Sequence, residues 1–565
     1  MRKKFVSYLL TLVLILLVTG CGGGGVTNAT SNNTKNDTNT TINSNDNTTN
    51  DEFSKTEYKG LVFYHKSLAP SAYKLEQVDD TAFNALTNAQ KLQVANKLLN
   101  TLFFGYPLKE LKTKIESGTF ISDIQSGLNI DSTDKEWLEN YILNDDIFKQ
   151  YTNSWDLPQV NKIFARFYAA KKLDKYFFNN WVAYILTQTI LFSPAYELTN
   201  THTPNIADVY NRLVNMLSVE SGMRYITYVH MMSEDNWRRF RSPEDNGREM
   251  LEIYLQDTKD SDVPLAGQAL KNWGLNSDGD TLEVSLNKNR KPIHLFDKTI
   301  YTGEDFYREL VKSSAFTRGV TNRLVDFFFP NKTVQEKASI ASKIVSSKPE
   351  TWQDILTQII FSKEYLLKNY RAQSAEETFF SLAKKMNFRV RKSSMRNLRV
   401  YLENMHQAAM KYKIGKIDRV PLDTLSFAYY NKYIRIYILL KHANSTEIDH
   451  NSWRYSGWQD NFIDFDKFSH DSRDDVASLR GLVTYLFEAI LGRDAKEDEQ
   501  KFFKNHMIEA RDGKELFKSE FNMFVTRDDP ADQEKRRKDN KYRIVIGVLD
   551  YISRLSETYS QMEVK

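Results

Sequence analysis

The sequence is poor in residues that cross-link or interrupt a chain: it has one cysteine among 565 residues, 12 prolines and 22 glycines. A single thiol cannot form an intramolecular disulfide, so packing alone must stabilise the fold. The net charge is only +4, and no stripe of basic residues interleaved with aromatics stands out, which argues against nucleic acid as a partner. Hydrolase, phosphate-loop and zinc signatures are missing too. We therefore expect no cofactor and no metal site.

The single cysteine, Cys21, directly follows the small-residue stretch Val18 to Gly20. Upstream lie the cations Arg2 to Lys4 and an apolar run, Phe5 to Val18, that is short for a membrane span. This order is typical of a bacterial lipobox. It predicts a signal peptide at residues 1–20 and palmitate-type acylation of Cys21, which anchors the chain in the cell envelope. Gly22, where inner-membrane retention favours Asp, indicates the outer membrane.

Residues 21–52 are rich in Gly, Asn and Thr and almost free of apolar side chains. Such a segment buries too little surface to offset its conformational entropy, so it is predicted to be a disordered tether. The stretch Asp37 to Thr41 matches the acceptor pattern of bacterial N-glycosylation at Asn39. Asn-rich tethers also produce that match by chance.

From residue 53 onward the composition is globular, and helical periodicity dominates. The stripe Val94, Leu98 and Leu102 precedes Gly105, and Phe316 to Phe328 forms another. Further helix starts are indicated by residues at capping or first-turn positions, namely Thr333 with Glu336, Pro349, and Ser374 with Glu377. This pattern predicts an all-α, multi-helix bundle, with the segment around Thr281 to Ile293 as the one candidate for a small hairpin.

Several segments resemble, in order and spacing, the family named Domain of Unknown Function 1800. They are Leu98 to Gly105, Ser242 to Ile253, Ala269 to Trp273, Phe316 to Phe329 and Ile359 to Tyr365. The resemblance implies a helical domain over residues 53–395, with residues 396–565 as a C-terminal helical region packed on the same domain. It also implies an exported protein with a sulfatase-like cognate partner, and it carries over no settled activity.

The chain departs from that family at Phe177 to Val182. The family carries histidines on both sides of an asparagine that matches Asn180, but this chain has Asn179 and Trp181 there. Neither replacement titrates near neutrality, and Trp cannot ligate a metal. Metal or proton chemistry that the histidine pair supports is therefore not expected.

Carboxylates recur on one predicted helix face, at Asp245, Glu249 and Glu252, with Arg248 beside them. Glu249, Glu252 and Arg248 are the catalytic candidates. Asn180 lies within an apolar run and needs a hydrogen-bond partner if buried. An Asn180–Arg248–Glu249 network between two core helices would supply one.

Three functions follow as hypotheses. The first is a lipid-anchored envelope protein that binds a partner or organises an assembly. The second is an envelope hydrolase that uses the carboxylates near Glu249 and Glu252. The third is capture of carbohydrate by exposed aromatic side chains.

Overall fold

The computed structural model describes much of the chain beyond residue 54. The described ranges are 55–58, 61–64, 68–144, 158–191, 206–240, 242–256, 258–278, 281–284, 289–387, 475–507, 545 and 547–564. Residues 53–565 form one compact unit. Cys21, Asn39 and the tether lie outside the described residues.

Helices dominate the described residues, as the periodicity predicts, so the all-α fold is confirmed. In chain order the first ten are α1 Asp80–Asn84, α2 Asn88–Thr101, α3 Leu108–Glu116, α4 Phe120–Gly127, α5 Lys135–Asn144, α6 Pro158–Ala169, α7 Lys175–Thr189, α8 Ile206–Ser218, α9 Met223–Met231 and α10 Glu234–Arg239. The next ten are α11 Pro243–Tyr254, α12 Asp262–Leu270, α13 Gly303–Lys312, α14 Ser314–Phe328, α15 Val334–Ser346, α16 Trp352–Ile360, α17 Lys363–Leu366, α18 Ala375–Lys385, α19 Asp475–Leu491 and α20 Glu497–Met507.

Local capping chemistry sets several helix starts. Thr333 and Ser374 each accept a hydrogen bond from the backbone of the third helical residue, and Glu336 and Glu377 return the interaction. These two capping boxes confirm the prediction. Pro349 is different, because α16 begins only at Trp352. Thr351 and Asp354 form a capping box there, so the prediction that Pro349 occupies the first turn was wrong.

The described residues also contain short antiparallel pairs of strands. The strands are β1 Lys55–Tyr58, β2 Leu61–Tyr64, β3 Trp273–Leu275, β4 Leu282–Val284, β5 Ile293–Leu295, β6 Lys298–Ile300, β7 Arg371–Ala372 and β8 Ser560–Gln561. A single hairpin was expected around Thr281 to Ile293, but the strands there belong to two hairpins. β4 pairs with the preceding strand β3, and β5 pairs with the following strand β6. The pair β7–β8 joins residues nearly 190 positions apart along the chain.

The core runs through most of the helices. Trp181, Trp237 and Trp352 are fully buried, and α7 is buried along nearly its whole length. Close approach depends on glycine at one crossing, where a Cβ at Gly319 would collide with the carbonyl oxygen of Tyr254. The C-terminal α19 packs against α2, α3 and α18. No helix among the described residues has both the length and the apolar composition needed to cross a membrane.

Candidate functional site

The predicted carboxylate face lies on α11. Ser242 caps this helix by accepting a hydrogen bond from the Asp245 backbone, and Pro243 occupies its first turn. Arg248 Nη2 lies 2.7 Å from Asp245 Oδ1 and 3.4 Å from Glu249 Oε1, and Arg248 Nη1 lies 3.8 Å from Glu252 Oε1. One guanidinium therefore serves all three carboxylates.

This α11 cluster is largely exposed, with 44% of the Arg248 side chain and 46% of the Glu252 side chain accessible to solvent. Ion pairs in such surroundings contribute about 0–1 kcal/mol to stability. A cavity of about 580 Å³, open to solvent, adjoins Arg248, Glu252 and Arg323. Of the three carboxylates, Glu252 alone lines this cavity, where it is paired with Arg248 and accessible to solvent.

Asn180 lies elsewhere, in a buried cluster on α7. Its Nδ2 donates to the carbonyl oxygen of Tyr176 at 2.8 Å, and its Oδ1 accepts from the Tyr210 hydroxyl at 2.6 Å. Among the described residues these are its side-chain partners, so the expected network with Arg248 and Glu249 is corrected to two separate clusters. The physical reason is that Tyr210 of α8 already fills the space that faces the amide.

An ion pair completes the buried cluster around Asn180. Arg166 donates to both oxygens of Glu139, at 2.8 and 3.1 Å, and the Tyr176 hydroxyl donates to Glu139 at 2.6 Å. Burial by itself raises the pKa of Glu139, but the hydrogen bonds from Arg166 and Tyr176 hold that pKa below its usual value. The cluster joins α5, α6, α7 and α8, which is a structural role.

The two positions that carry histidines in the resembling family also have structural partners. Trp181 Nε1 donates to the carbonyl oxygen of Thr101 at 2.8 Å, which ties α7 to α2. Asn179 Oδ1 accepts from Gln353 Nε2 at 3.1 Å, which ties α7 to α16. Both replacements thus hold helices together.

A second cavity, of about 260 Å³, lies between α2, α18 and the C-terminal residues 490–496 and 557–563. We call it the interhelical cavity. Its volume is close to the lower end of ligand pockets, which run from roughly 300 to 1,000 Å³. Most of the described residues that line it are polar and none is aromatic, but apolar atoms make up the larger part of the lining surface. Its lining includes Asn96, Lys97, Asn100, Lys385 and Ser560.

The buried polar atoms of the interhelical cavity are incompletely paired. Asn96 is 4% exposed, and neither its Oδ1 nor its Nδ2 has a hydrogen-bond partner among the described residues. The same holds for Ser560 Oγ and Asn100 Oδ1. Buried polar atoms are nearly always paired in proteins, so atoms of this kind take their partners from bound water or from a ligand.

Two ammonium groups line the same cavity. Lys97 is 5% exposed, and its Nζ donates to the carbonyl oxygens of Asn369 at 2.5 Å and Met562 at 3.0 Å. Lys385 is 2% exposed, and its Nζ donates to the carbonyl oxygen of Ile490 at 3.2 Å. Neither has a carboxylate partner among the described residues. Burial lowers the pKa of Lys97 well below its ordinary value and that of Lys385 to about 7.

A buried network fixes the C-terminal wall of the cavity. Arg371 pairs with Glu377 and donates to the Tyr365 hydroxyl at 2.7 Å. That hydroxyl donates to Gln561 Oε1 at 2.7 Å, and Gln561 Nε2 donates to the Thr101 hydroxyl at 2.9 Å. Strand β8, which carries Gln561, is therefore held beside α2.

Other polar residues lie in the two hairpins β3–β4 and β5–β6. Asn276 Oδ1 accepts from the Thr281 backbone at 3.2 Å and closes the β3–β4 turn. His294 and Asp297 lie in the β5–β6 hairpin, where His294 Nδ1 is 3.3 Å from the Thr299 hydroxyl. Among the described residues, no His, Cys, Asp and Glu side chains group so as to hold a metal ion.

The exposed aromatic side chains include Trp137, which is 41% exposed. Its ring stacks on Tyr141 with centroids 5.3 Å apart, and the Lys171 ammonium lies 4.1 Å from its centroid. Side chains of this chain thus already contact the Trp137 ring, which argues against stacking of a sugar on it.

Comparison of the chain with protein-family models, with curated proteins and with solved structures gave no match. The resemblance argued from the sequence motifs therefore stays a prediction.

Proposed function

We propose that this chain is a lipid-anchored binding protein of the bacterial cell envelope, and that its body holds a small polar ligand in the interhelical cavity. The observation that carries the proposal is the set of buried polar atoms without partners that surrounds this cavity, above all both amide atoms of Asn96. The lipobox at Cys21 supports the anchor, and the proposed tether leaves the body free to meet a partner.

Binding rather than catalysis is supported by what the cavity contains. It offers donors and acceptors on amides, hydroxyls and lysine side chains. Among the described residues none of its hydroxyl groups makes a hydrogen bond to a carboxylate or an amine, as an activated nucleophile does. The described residues that line the cavity include no histidine or cysteine. Two carboxylates line it: Glu557, which is paired with Arg493 and Lys496, and Glu563.

The experiment is a thermal-shift screen of the purified full chain against small polar compounds. The proposal expects a rise in melting temperature with one class of compound, and loss of that rise in Asn96→Leu. Because the Asn96 amide has no partner to lose, the variant without ligand should melt at the same temperature or higher, which separates a binding role from a structural one.

Asn129→Leu is the matched control, since Asn129 is exposed and does not line the cavity. It should respond to the same compound as the wild type. An unchanged response in Asn96→Leu would contradict the proposal, and so would the absence of any response in the wild type.

The rival function is an envelope hydrolase at the α11 cluster, and the open cavity beside Glu252 is the observation that favours it. Under this alternative, Glu249→Gln or Glu252→Gln abolishes hydrolysis of envelope glycans or esters while the fold is unchanged. Hydrolysis that survives in both variants, or that the wild type does not perform, removes the rival.

A further inference from the structure

The interhelical cavity holds unpaired donors beside the unpaired acceptor oxygens of Asn96 and Asn100. An ammonium group has three N–H donors. Lys97 uses two of them on backbone carbonyls and Lys385 uses one, which leaves one and two donors respectively. The Asn96 amide adds two more N–H groups, and Ser560 adds a hydroxyl.

The side chains that line the cavity carry more positive than negative charges. Arg493 is matched by Glu499 and Glu557, and Lys496 by Glu557. Lys97 and Lys385 make no ion pair among the described residues, and the carboxylate of Glu563, which also lines the cavity, acts on Lys97 from a longer distance. Burying an unpaired cation is costly, and an anion held between the two groups removes that cost.

From this arrangement we infer that the interhelical cavity binds a small oxyanion, a carboxylate or phosphate group on a hydroxylated molecule, between Lys97 and Lys385. The Asn96 and Asn100 amide oxygens then accept hydrogen bonds from the hydroxyl groups, and Ser560 donates to the anion. The inference rests on the proposed function, because it names the ligand class of the same cavity.

Binding of the anion should be coupled to uptake of protons. Without ligand, burial favours neutral amines, since the pKa of Lys385 is about 7 and that of Lys97 is well below its ordinary value. An anion stabilises the protonated forms, so each amine gains a proton from solvent as the ligand binds. Other charged groups act on these two lysines or line the cavity: Arg371, Lys332 and Glu563 act on Lys97, and Arg493, Lys496 and Glu557 lie in the cavity wall.

The test is calorimetric titration of the purified full chain with three probes: glucuronate, inorganic phosphate and glucose. Glucose matches glucuronate in shape and hydroxyl groups but has no charge. We expect binding of glucuronate or phosphate, with the two arms separating a carboxylate from a phosphate ligand, and at least tenfold weaker binding of glucose.

Titrations of the wild type in two buffers of different ionisation enthalpy measure the proton uptake directly. This measurement does not depend on whether the variants fold. Above pH 7 the affinity should fall, by up to about tenfold per pH unit for each proton taken up.

Lys385→Met should weaken anion binding at least tenfold. Lys384→Met is the control, because burial lowers the pKa of Lys384 to about 7 as well, but its Nζ donates to the carbonyl oxygens of Tyr168 and Ala170, away from the cavity. Lys384→Met should change the affinity for the anion by less than about twofold.

Equal binding of glucose and glucuronate, or anion binding without proton uptake, would overturn the anion assignment and leave the proposed function standing. Failure of both anions to bind would also overturn the anion assignment. The thermal-shift screen then tests the proposed function independently.

Discussion

Lys384 and Lys385 are neighbours in sequence, yet their ammonium groups lie on different sides of α18. Lys384 reaches the carbonyl oxygens of Tyr168 and Ala170 at the end of α6, and Lys385 reaches Ile490 near the end of α19. Burial lowers the pKa of both to about 7. One helix therefore places one buried amine at a helix contact and another at the wall of a cavity.

The first prediction concerns the pH dependence of stability. The pKa of Lys385 is about 7 in the folded chain and 10.5 as its ordinary value. Between these values the unfolded chain binds a proton that the folded chain does not, so this group makes the free energy of unfolding rise with pH, by about 1.4 kcal/mol per unit. Urea unfolding at pH 7, 8 and 9 should show a steeper rise in the wild type than in Lys385→Met. Parallel curves would contradict the prediction.

The second prediction concerns the buried Asn180 cluster. Asn180→Ala leaves the Tyr210 hydroxyl without its acceptor side chain and should cost about 1–3 kcal/mol of unfolding free energy. Because the two residues share a hydrogen bond, the effect should couple to Tyr210→Phe, and it should be additive with Glu249→Gln. A double-mutant cycle measures this. Coupling to Glu249 rather than to Tyr210 would contradict the separation of the two clusters.

The third prediction concerns the ion pair that holds the C-terminal wall. Arg371→Leu leaves the Glu377 carboxylate buried without its cation, which should cost about 3–5 kcal/mol. Removing both charges in Arg371→Leu with Glu377→Leu should cost less than the sum of the single changes. Chemical denaturation of the three variants checks it, and additive costs would show that the pair does not act as a unit.

The fourth prediction concerns the anchor. Cys21→Ser removes the acylated sulfur, so the chain should leave the membrane fraction and lose labelling by tritiated palmitate while the body keeps its circular dichroism spectrum. Tight membrane retention of an unlabelled, correctly cleaved Cys21→Ser chain would contradict the lipobox prediction.

Local chemistry explains which features were predictable. The capping boxes at Thr333 and Ser374 depend on residues three positions apart, and the stripe from Val94 to Leu102 lies on one helix, so both are visible in sequence. The start of α16 was predicted wrongly from Pro349. Its capping box is formed by Thr351 with Asp354, and Asp is not the Glu or Gln that usually marks such a box.

The interhelical cavity was not predictable, because distance along the chain hides it. The hydrogen bond from Lys97 to Met562 joins residues 465 positions apart. The available signal was a group of polar residues, Asn96, Lys97 and Asn100, that flanks an apolar stripe. Without a partner segment such a group is indistinguishable from a solvated helix face.

The central claim is that the interhelical cavity is a binding site, and its most direct test is mass spectrometry of small molecules released when the purified full chain is denatured. We expect one hydroxylated, anionic compound in near-stoichiometric amount from the wild type and from Asn129→Leu, and its loss from Asn96→Leu. The same compound in equal amount from Asn96→Leu, or none that depends on the cavity residues, would contradict the account.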